Sequence, residues 1–170
     1  MEKNDRFTWA LSVMDIRPNH QVLEIGCGVG LAVEQMVPIL KTGSVTAVDR
    51  SDSAIEKAAK RNAAAITANK VEFLTCDLLQ LHDHNRRYDK ILSFNVNLFW
   101  TKRAIAEEAA ILRSLLKKNG SIYILYGPLI GGIKKIEGPL TKNMEREAFV
   151  LHQVIHDSTL NCCCFVVKGN

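Results

Sequence analysis

The chain alternates short apolar runs with longer amphipathic stretches. "VLEIG", "SVTAVD", "KVEFLTCD", "DKILSFN" and "SIYILYG" are β-branched in places and bounded by turn residues. Runs of that length predict buried strands. Segments of helical character lie between most of them. Residues 53–68 open with Ser53 and Glu56 at capping-box spacing and continue in alanine, a strong helix former. Residues 102–118 set Ile105, Ala109, Leu112, Leu115 and Leu116 along one face. They close on Lys117, Lys118 and Gly120, a helix stop. Residues 29–41 read as a further helix, with Pro38 near its end.

This alternation implies right-handed crossovers and an α/β fold, a doubly wound, mostly parallel sheet with helices on both faces. Two places depart from it. "LLQLHDHNRR", residues 78–87, holds at most a short helix. At the end, "FVLHQVIHDST" and "LNCCCFVVKG" predict a C-terminal antiparallel hairpin. The stretch "YGPLIGGIKKIEGP", residues 126–139, reads either as a binding loop or as a solvated one, with Lys134 and Lys135 available to an acidic substrate. No repeat or linker interrupts residues 1–170, which are expected to form one domain.

Composition changes this picture little. Apolar content of 47% and charged content of 24% are ordinary for a globular domain. The net charge of +4 is scattered over doublets such as Arg86–Arg87, so a solvated surface is favoured over a nucleic-acid footprint. The first twenty residues carry early acids and no continuous apolar stretch, so no targeting segment is expected. The longest apolar run, "SIYILYGPLIGG", is broken by Gly127 and Pro128, so no membrane partner is expected. Five cysteines without framework spacing point to a reduced, cytoplasmic protein. Cys162, Cys163 and Cys164 alternate faces on a strand, so core packing is expected and no metal site. A thiolate–imidazole site with His152 and His156 is the alternative.

The candidate chemistry begins at "VLEIGCGVG", residues 22–30. A strand runs into a turn with three alternating glycines, more than a tight turn needs, so a ligand is expected there. The dinucleotide fingerprint wants a third glycine at position 31, where this chain has Leu31. Glu24, at the end of the strand, would repel a pyrophosphate and suits a cationic ligand.

These residues resemble the first motif of class I methyltransferases, which use S-adenosylmethionine and release S-adenosylhomocysteine. "TAVDRSD", "EFLTCDLL" and "LLKKNGSIYILY" fall where that family has its later signals, so the resemblance covers most of the chain. It implies a Rossmann-like fold and a cofactor set of Glu24, Gly26, Cys27, Gly28, Gly30, Asp49, Arg50, Asp77, Leu78 and Asn95. In that set Asp49 pairs with the ribose, Asp77 meets the adenine, Asn95 touches the methionine end and Glu24 faces the amino group or sulfonium. Asp49 also has a plainer reading, as an acid leading the next helix.

After the fourth strand, "SFNVNLFW" lacks the Asn/Asp-Pro-Pro-aromatic element of many amino-group methylating relatives. Asn97, Phe99, Trp100 and Tyr126 are candidates to face the acceptor, although Phe99 and Trp100 serve equally well as packing. His20, His82, His84 and Tyr126 are the candidate bases by chemistry alone. The favoured reading is methyl transfer to a small-molecule acceptor. An RNA or protein methyltransferase, a non-catalytic cofactor-binding partner and a nicotinamide-dependent reductase are the rivals.

Overall fold

Strand β1 (Gln21–Ile25) has neighbours on both sides, and four of its five residues are buried. Such double-faced burial accounts for its nearly continuous apolar run. A computed structural model gives the structure of the protein, describing residues 5–128 and 132–169. The other strands are β2 (Ser44–Asp49), β3 (Val71–Thr75), β4 (Tyr88–Phe94), β5 (Leu116–Tyr126), β6 (Phe149–Asp157) and β7 (Cys162–Gly169), of which β2 and β4 pair with β1. The sheet has seven strands in the order β3-β2-β1-β4-β5-β7-β6. Strands β1 to β5 are parallel, while β7 runs antiparallel to both β5 and β6. The doubly wound sheet and its closing hairpin are both as the sequence pattern implies.

Two apolar cores flank the sheet. One holds α1 (Asp5–Met14), α2 (Leu31–Met36), α3 (Asp52–Arg61) and α4 (Ala63–Thr67). The other holds a 3-10 turn (Leu79–Leu81), α5 (Leu98–Thr101), α6 (Ala106–Leu115) and α7 (Lys134–Arg146). Cys163 packs into the second core and Cys164 into the first, as alternation along β7 requires. Burial raises the Cys163 thiol to about 12. His152 and His156 are exposed. No described helix is long and apolar enough to cross a membrane.

Element boundaries differ from the sequence reading in several places, the helix expected at 29–41 being confined to Leu31–Met36. Helix α1 was not expected, yet Phe7, Ala10, Leu11 and Met14 form a buried stripe at helical spacing. The helix expected at 53–68 breaks at Asn62, whose amide donates to the carbonyls of Ala58 (2.9 Å) and Gly30 (3.2 Å). Its cap is Ser51, accepting from the Ala54 N–H at 3.3 Å, rather than Ser53.

Helix α6 stops at Leu115 because Lys117 already belongs to β5, where its ammonium meets Asp89 at 2.8 Å. Asp89 also accepts the Gln21 N–H at 2.7 Å, tying β4 to the start of β1. Burial alone would raise the Asp89 carboxyl, but the Lys117 and Gln21 hydrogen bonds outweigh it and hold it low.

The stretch read as a loop over 126–139 is helical from Lys134 onward, despite Gly138 and Pro139. Its buried stripe of Ile136, Leu140, Asn143 and Met144 outweighs the donor lost at proline. Leu129, Ile130 and Gly131 lie outside the described residues.

Candidate functional site

Strand order reverses at β1: β2 and β3 lie to one side, β4 and β5 to the other. At such a point the loops leaving the strand ends diverge and open a crevice. A cleft of about 580 Å³ lies there. Gly26 lines it after β1, Asp49 and Arg50 after β2, and Cys76 to Leu79 after β3. Asn95 to Leu98 line it after β4, and Thr101, Lys102 and Glu108 complete the wall. Seven of the residues singled out in the sequence thus share one cleft: Gly26, Asp49, Arg50, Asp77, Leu78, Asn95 and Asn97.

The three glycines are bare for different reasons. A Cβ on Gly26 would stand 2.4 Å from Val96 Cγ2, so its absence lets the β1 and β4 loops close on each other at the cleft. A Cβ on Gly30 would meet Asn62 Nδ2 at 2.7 Å and the Ala58 Cβ at 3.0 Å, so this glycine seats helix α3. Gly28 has open space around it, and its need is a φ of +54°. Neither Gly28, Gly30 nor the buried Cys27 lines the cleft; of the motif's glycines, Gly26 does.

Asp49 ends β2 with both carboxylate oxygens engaged. Oδ2 accepts the Gly28 N–H at 2.9 Å and Oδ1 accepts the Ser51 N–H at 3.0 Å. Each oxygen retains a second lone-pair direction. The side chain therefore holds the glycine loop and the start of α3 while still lining the cleft. Asp77 exchanges hydrogen bonds with Gln80, accepting its N–H at 3.1 Å while Gln80 Oε1 accepts the Asp77 N–H at 2.8 Å. Asn95, at φ +58°, clamps Gly127 from both sides: Nδ2 donates to its carbonyl at 2.8 Å and Oδ1 accepts its N–H at 2.9 Å.

Glu24 does not line the cleft, although its neighbours Ile25 and Gly26 do. It is 2% exposed, and Oε2 has no hydrogen-bond partner. Burial, aided by the negative charge of Asp49, pushes its carboxyl up to about 8. A buried carboxyl with a free oxygen is costly to ionise unless a cation or donor approaches.

On the acceptor side the structure separates the candidates. Asn97 lines the cleft, its Oδ1 accepting the Trp100 indole N–H at 3.3 Å. Phe99 is fully buried in the α5–α7 core, which corrects its assignment to the acceptor face. Trp100 packs against the same core under the Lys135 ammonium, 5.8 Å from its ring. Tyr126 is buried, donates to the Val96 carbonyl at 2.7 Å, and has its phenol pushed up by burial. It holds the loop that crosses Gly26 and offers no base to the cleft.

The histidines also sit elsewhere. His20 accepts the Arg17 N–H beside the amino end of β1, His82 pairs with Asp83, and His84 meets the Tyr88 hydroxyl at 2.6 Å.

Two residues that the sequence reading passed over line the cleft as an ion pair, Lys102 and Glu108. Glu108 is only 3% exposed, and its hydrogen bond raises the Lys102 ammonium. The signal was present: Glu108 interrupts the apolar stripe of Ile105, Ala109 and Leu112 on α6. Asn143 of α7 fixes the backbone at this pair, its Nδ2 donating to the carbonyls of Lys102 (2.9 Å) and Phe99 (3.1 Å).

A profile of the family described as "Methyltransferase domain" matches residues 22–120, from β1 into β5. The chain belongs to this methyltransferase family. A protein of Invertebrate iridescent virus 6, named as a candidate methyltransferase, is 29% identical over 117 residues. That match takes in 68% of this chain and 40% of the viral protein, so the chain spans well under two thirds of this relative's length. Solved structures share the architecture. The magnesium protoporphyrin IX methyltransferase of Synechocystis PCC 6803, with S-adenosylmethionine bound, superposes with a TM-score of 0.69 at 19% identity, over 98% of this chain and 77% of that one. The fibrillarin pre-rRNA processing protein of Methanococcus jannaschii does so with a TM-score of 0.74 at 15% identity, over 99% and 77%. Fold and family together make this a class I, Rossmann-like domain of the S-adenosylmethionine-dependent methyltransferases.

Two outcomes follow for this methyltransferase domain. Gly30→Ala should destabilise it by roughly 2–3 kcal/mol, combining left-handed strain with a clash, whereas Gly28→Ala should cost about 1–2 kcal/mol from strain alone. Equal losses in denaturant titrations would contradict the division of roles. The second outcome concerns Glu24, whose carboxyl titrates near 4.5 when unfolded and about 8 when folded. The unfolded chain releases this proton first, so stability falls as pH rises from about 4.5 to 8. Glu24→Gln should remove that slope and gain a few kcal/mol at pH 8. A variant whose thermal midpoint follows the same pH curve as the parent would exclude this source.

Proposed function

We propose that this chain, acting as one domain, binds S-adenosylmethionine and transfers its methyl group to a small-molecule acceptor. The observation that carries the reading is the convergence of Gly26, Asp49, Asp77 and Asn95, from four successive strand ends, on one cleft. A volume of about 580 Å³ suits a ligand of nucleoside size with room beside it. The described basic residues form no stripe beside it that would favour a nucleic acid over a small molecule: Arg50 and Lys102 are the cationic residues of the wall. Five free cysteines suit a reducing, cytoplasmic setting.

The residues present fit the cofactor. Asp49 has lone pairs free for two ribose hydroxyls, in charge-assisted bonds. Val96 packs where Gly26 would carry a Cβ, so the loops after β1 and β4 close together to form this part of the wall. Behind the wall, Glu24 carries an unpartnered oxygen that a nearby cation would draw into its ionised form. Arg50, Asp77 and Leu78 would flank the adenosine, and Asn95 would hold the Gly127 turn at the methionine end. Cys27, Gly28 and Gly30 act through loop geometry.

When bound, S-adenosylmethionine supplies an activated methyl group on a sulfonium leaving group. The work left to the chain is alignment and water exclusion, supplied by rigid strand-end loops. Asn97, at the cleft wall, would orient an acceptor. Neither Tyr126 nor the three histidines named as candidate bases stand at the cleft, so the reading assigns none of them the role of base.

The test is incubation with methyl-labelled S-adenosylmethionine and separate small-molecule, RNA and protein fractions. Label should enter the small-molecule fraction and fall more than about tenfold with Asp49→Ala. Label in RNA or protein would move the acceptor to that class. Undiminished transfer by a folded Asp49→Ala variant would remove the ribose role.

A further inference from the structure

One cation beside the cleft has no counter-ion. Arg6, in the first turn of α1, lays its guanidinium against the rings of Phe7 and Phe94, 4.9 and 5.5 Å from their centroids. Its Nε is buried and has no hydrogen-bond partner. Its Nη1 makes one long contact, 3.5 Å, to the Gly127 carbonyl, which Asn95 Nδ2 already holds at 2.8 Å. Among the described residues no carboxylate stands within ion-pair distance of it. The Cys162 thiol feels the Arg6 charge, but burial outweighs that pull and keeps the thiol protonated. A fixed charge with several donors, half-buried and unpaired, weakens the fold. A methionine would pack on the two rings without that cost.

Topology places Arg6 relative to the cleft. From β3 across to β5, the strand ends carry Asp77, Asp49, Gly26, Asn95 and Gly127 in that order. Gly127 therefore stands three strands from Asp49, roughly 14 Å at the usual strand spacing. Phe94, under the guanidinium, and Asn95, which shares its Gly127 contact, both line the cleft. Arg6 is thus at the β4–β5 end, across β1 from the residues assigned to the ribose and adenine. That end is the one left for an acceptor.

A single guanidinium matches a carboxylate both in charge and in its two-pronged geometry. Resting on the transfer reading above, we infer that Arg6 binds a carboxylate of the methyl acceptor, which makes small carboxylic acids the substrate class. The stacked rings of Phe7 and Phe94 hold the guanidinium in place and shield the pair from water, which strengthens it.

Two measurements test this. In nitrogen-15 spectra of the parent chain, acetate should shift the Arg6 Nε–H signal saturably, and the neutral acetamide should not. With methyl-labelled S-adenosylmethionine and a small-molecule extract, the labelled product should be retained by an anion exchanger. Arg6→Met keeps an apolar stem on the rings and removes the charge. Its label transfer should fall more than about tenfold through a raised acceptor KM. Its affinity for S-adenosylhomocysteine should stay within about twofold of the parent, because the two sites are separate. Equal shifts with acetate and acetamide, or label confined to neutral and cationic products, would overturn the inference. So would loss of S-adenosylhomocysteine binding and of thermal midpoint together in Arg6→Met, which would make Arg6 a structural residue. Failure of the parent itself to bind S-adenosylhomocysteine would remove the cofactor reading and the acceptor role with it; an acetate shift would then mark an anion site alone.

Discussion

The carboxylate of Asp49 joins what would otherwise be two independent loops. One oxygen holds the glycine turn after β1 and the other holds the start of α3, at 2.9 and 3.0 Å. Backbone hydrogen bonds continue the link, since the N–H groups of Gly26 and Cys27 both donate to the Val48 carbonyl. The strand ends either side of the reversal are thus fixed relative to each other before any ligand arrives. A crevice at a topological switch point exists in any open doubly wound sheet. Here the Asp49 clasp gives it one shape.

The opposite wall is fixed by a second set of constraints. Asn95 clamps Gly127, and Tyr126 holds the Val96 carbonyl, so the loop after β4 is bound to the end of β5. Val96 then lies against Gly26, where no side chain but hydrogen would fit. Further along, Asn143 reaches from α7 to the turn carrying Lys102. Helix α7 therefore shapes the cleft without touching it. Against this rigid background Glu24 stands out: a buried carboxyl with an unpartnered oxygen, beside a second carboxylate, weakens the ligand-free fold. Such a local conflict is expected where a site is built for a ligand rather than for stability.

Much of this was legible in the residues. Runs such as "SVTAVD" and "SIYILYG" are strands because sheets buried on both faces demand apolar continuity, and that signal is local. The glycine motif and Asp49 were also readable, because loop chemistry at a strand end depends on few neighbours. What was hidden depends on partners distant in sequence. Phe99 and Tyr126 look like acceptor-facing residues beside the β4 and β5 ends, but α7 and β7 cover them. Lys117 reads as a helix stop until Asp89, 28 residues away, claims it for β5. Ser53 fits a capping box, yet Ser51 captures the Ala54 N–H because Asp49 has already turned the chain at Ser51. Glu108 was visible as an acid on an apolar stripe, but its partner Lys102 precedes the helix and was not.

The central claim is that this cleft accepts an adenosyl-sulfur cofactor rather than a dinucleotide. Calorimetric titration of the purified chain with S-adenosylhomocysteine, with NADH as the control, tests it most directly. The account predicts saturable one-to-one binding of S-adenosylhomocysteine and no heat from NADH. Binding of NADH alone would contradict it and return the glycine loop to a pyrophosphate.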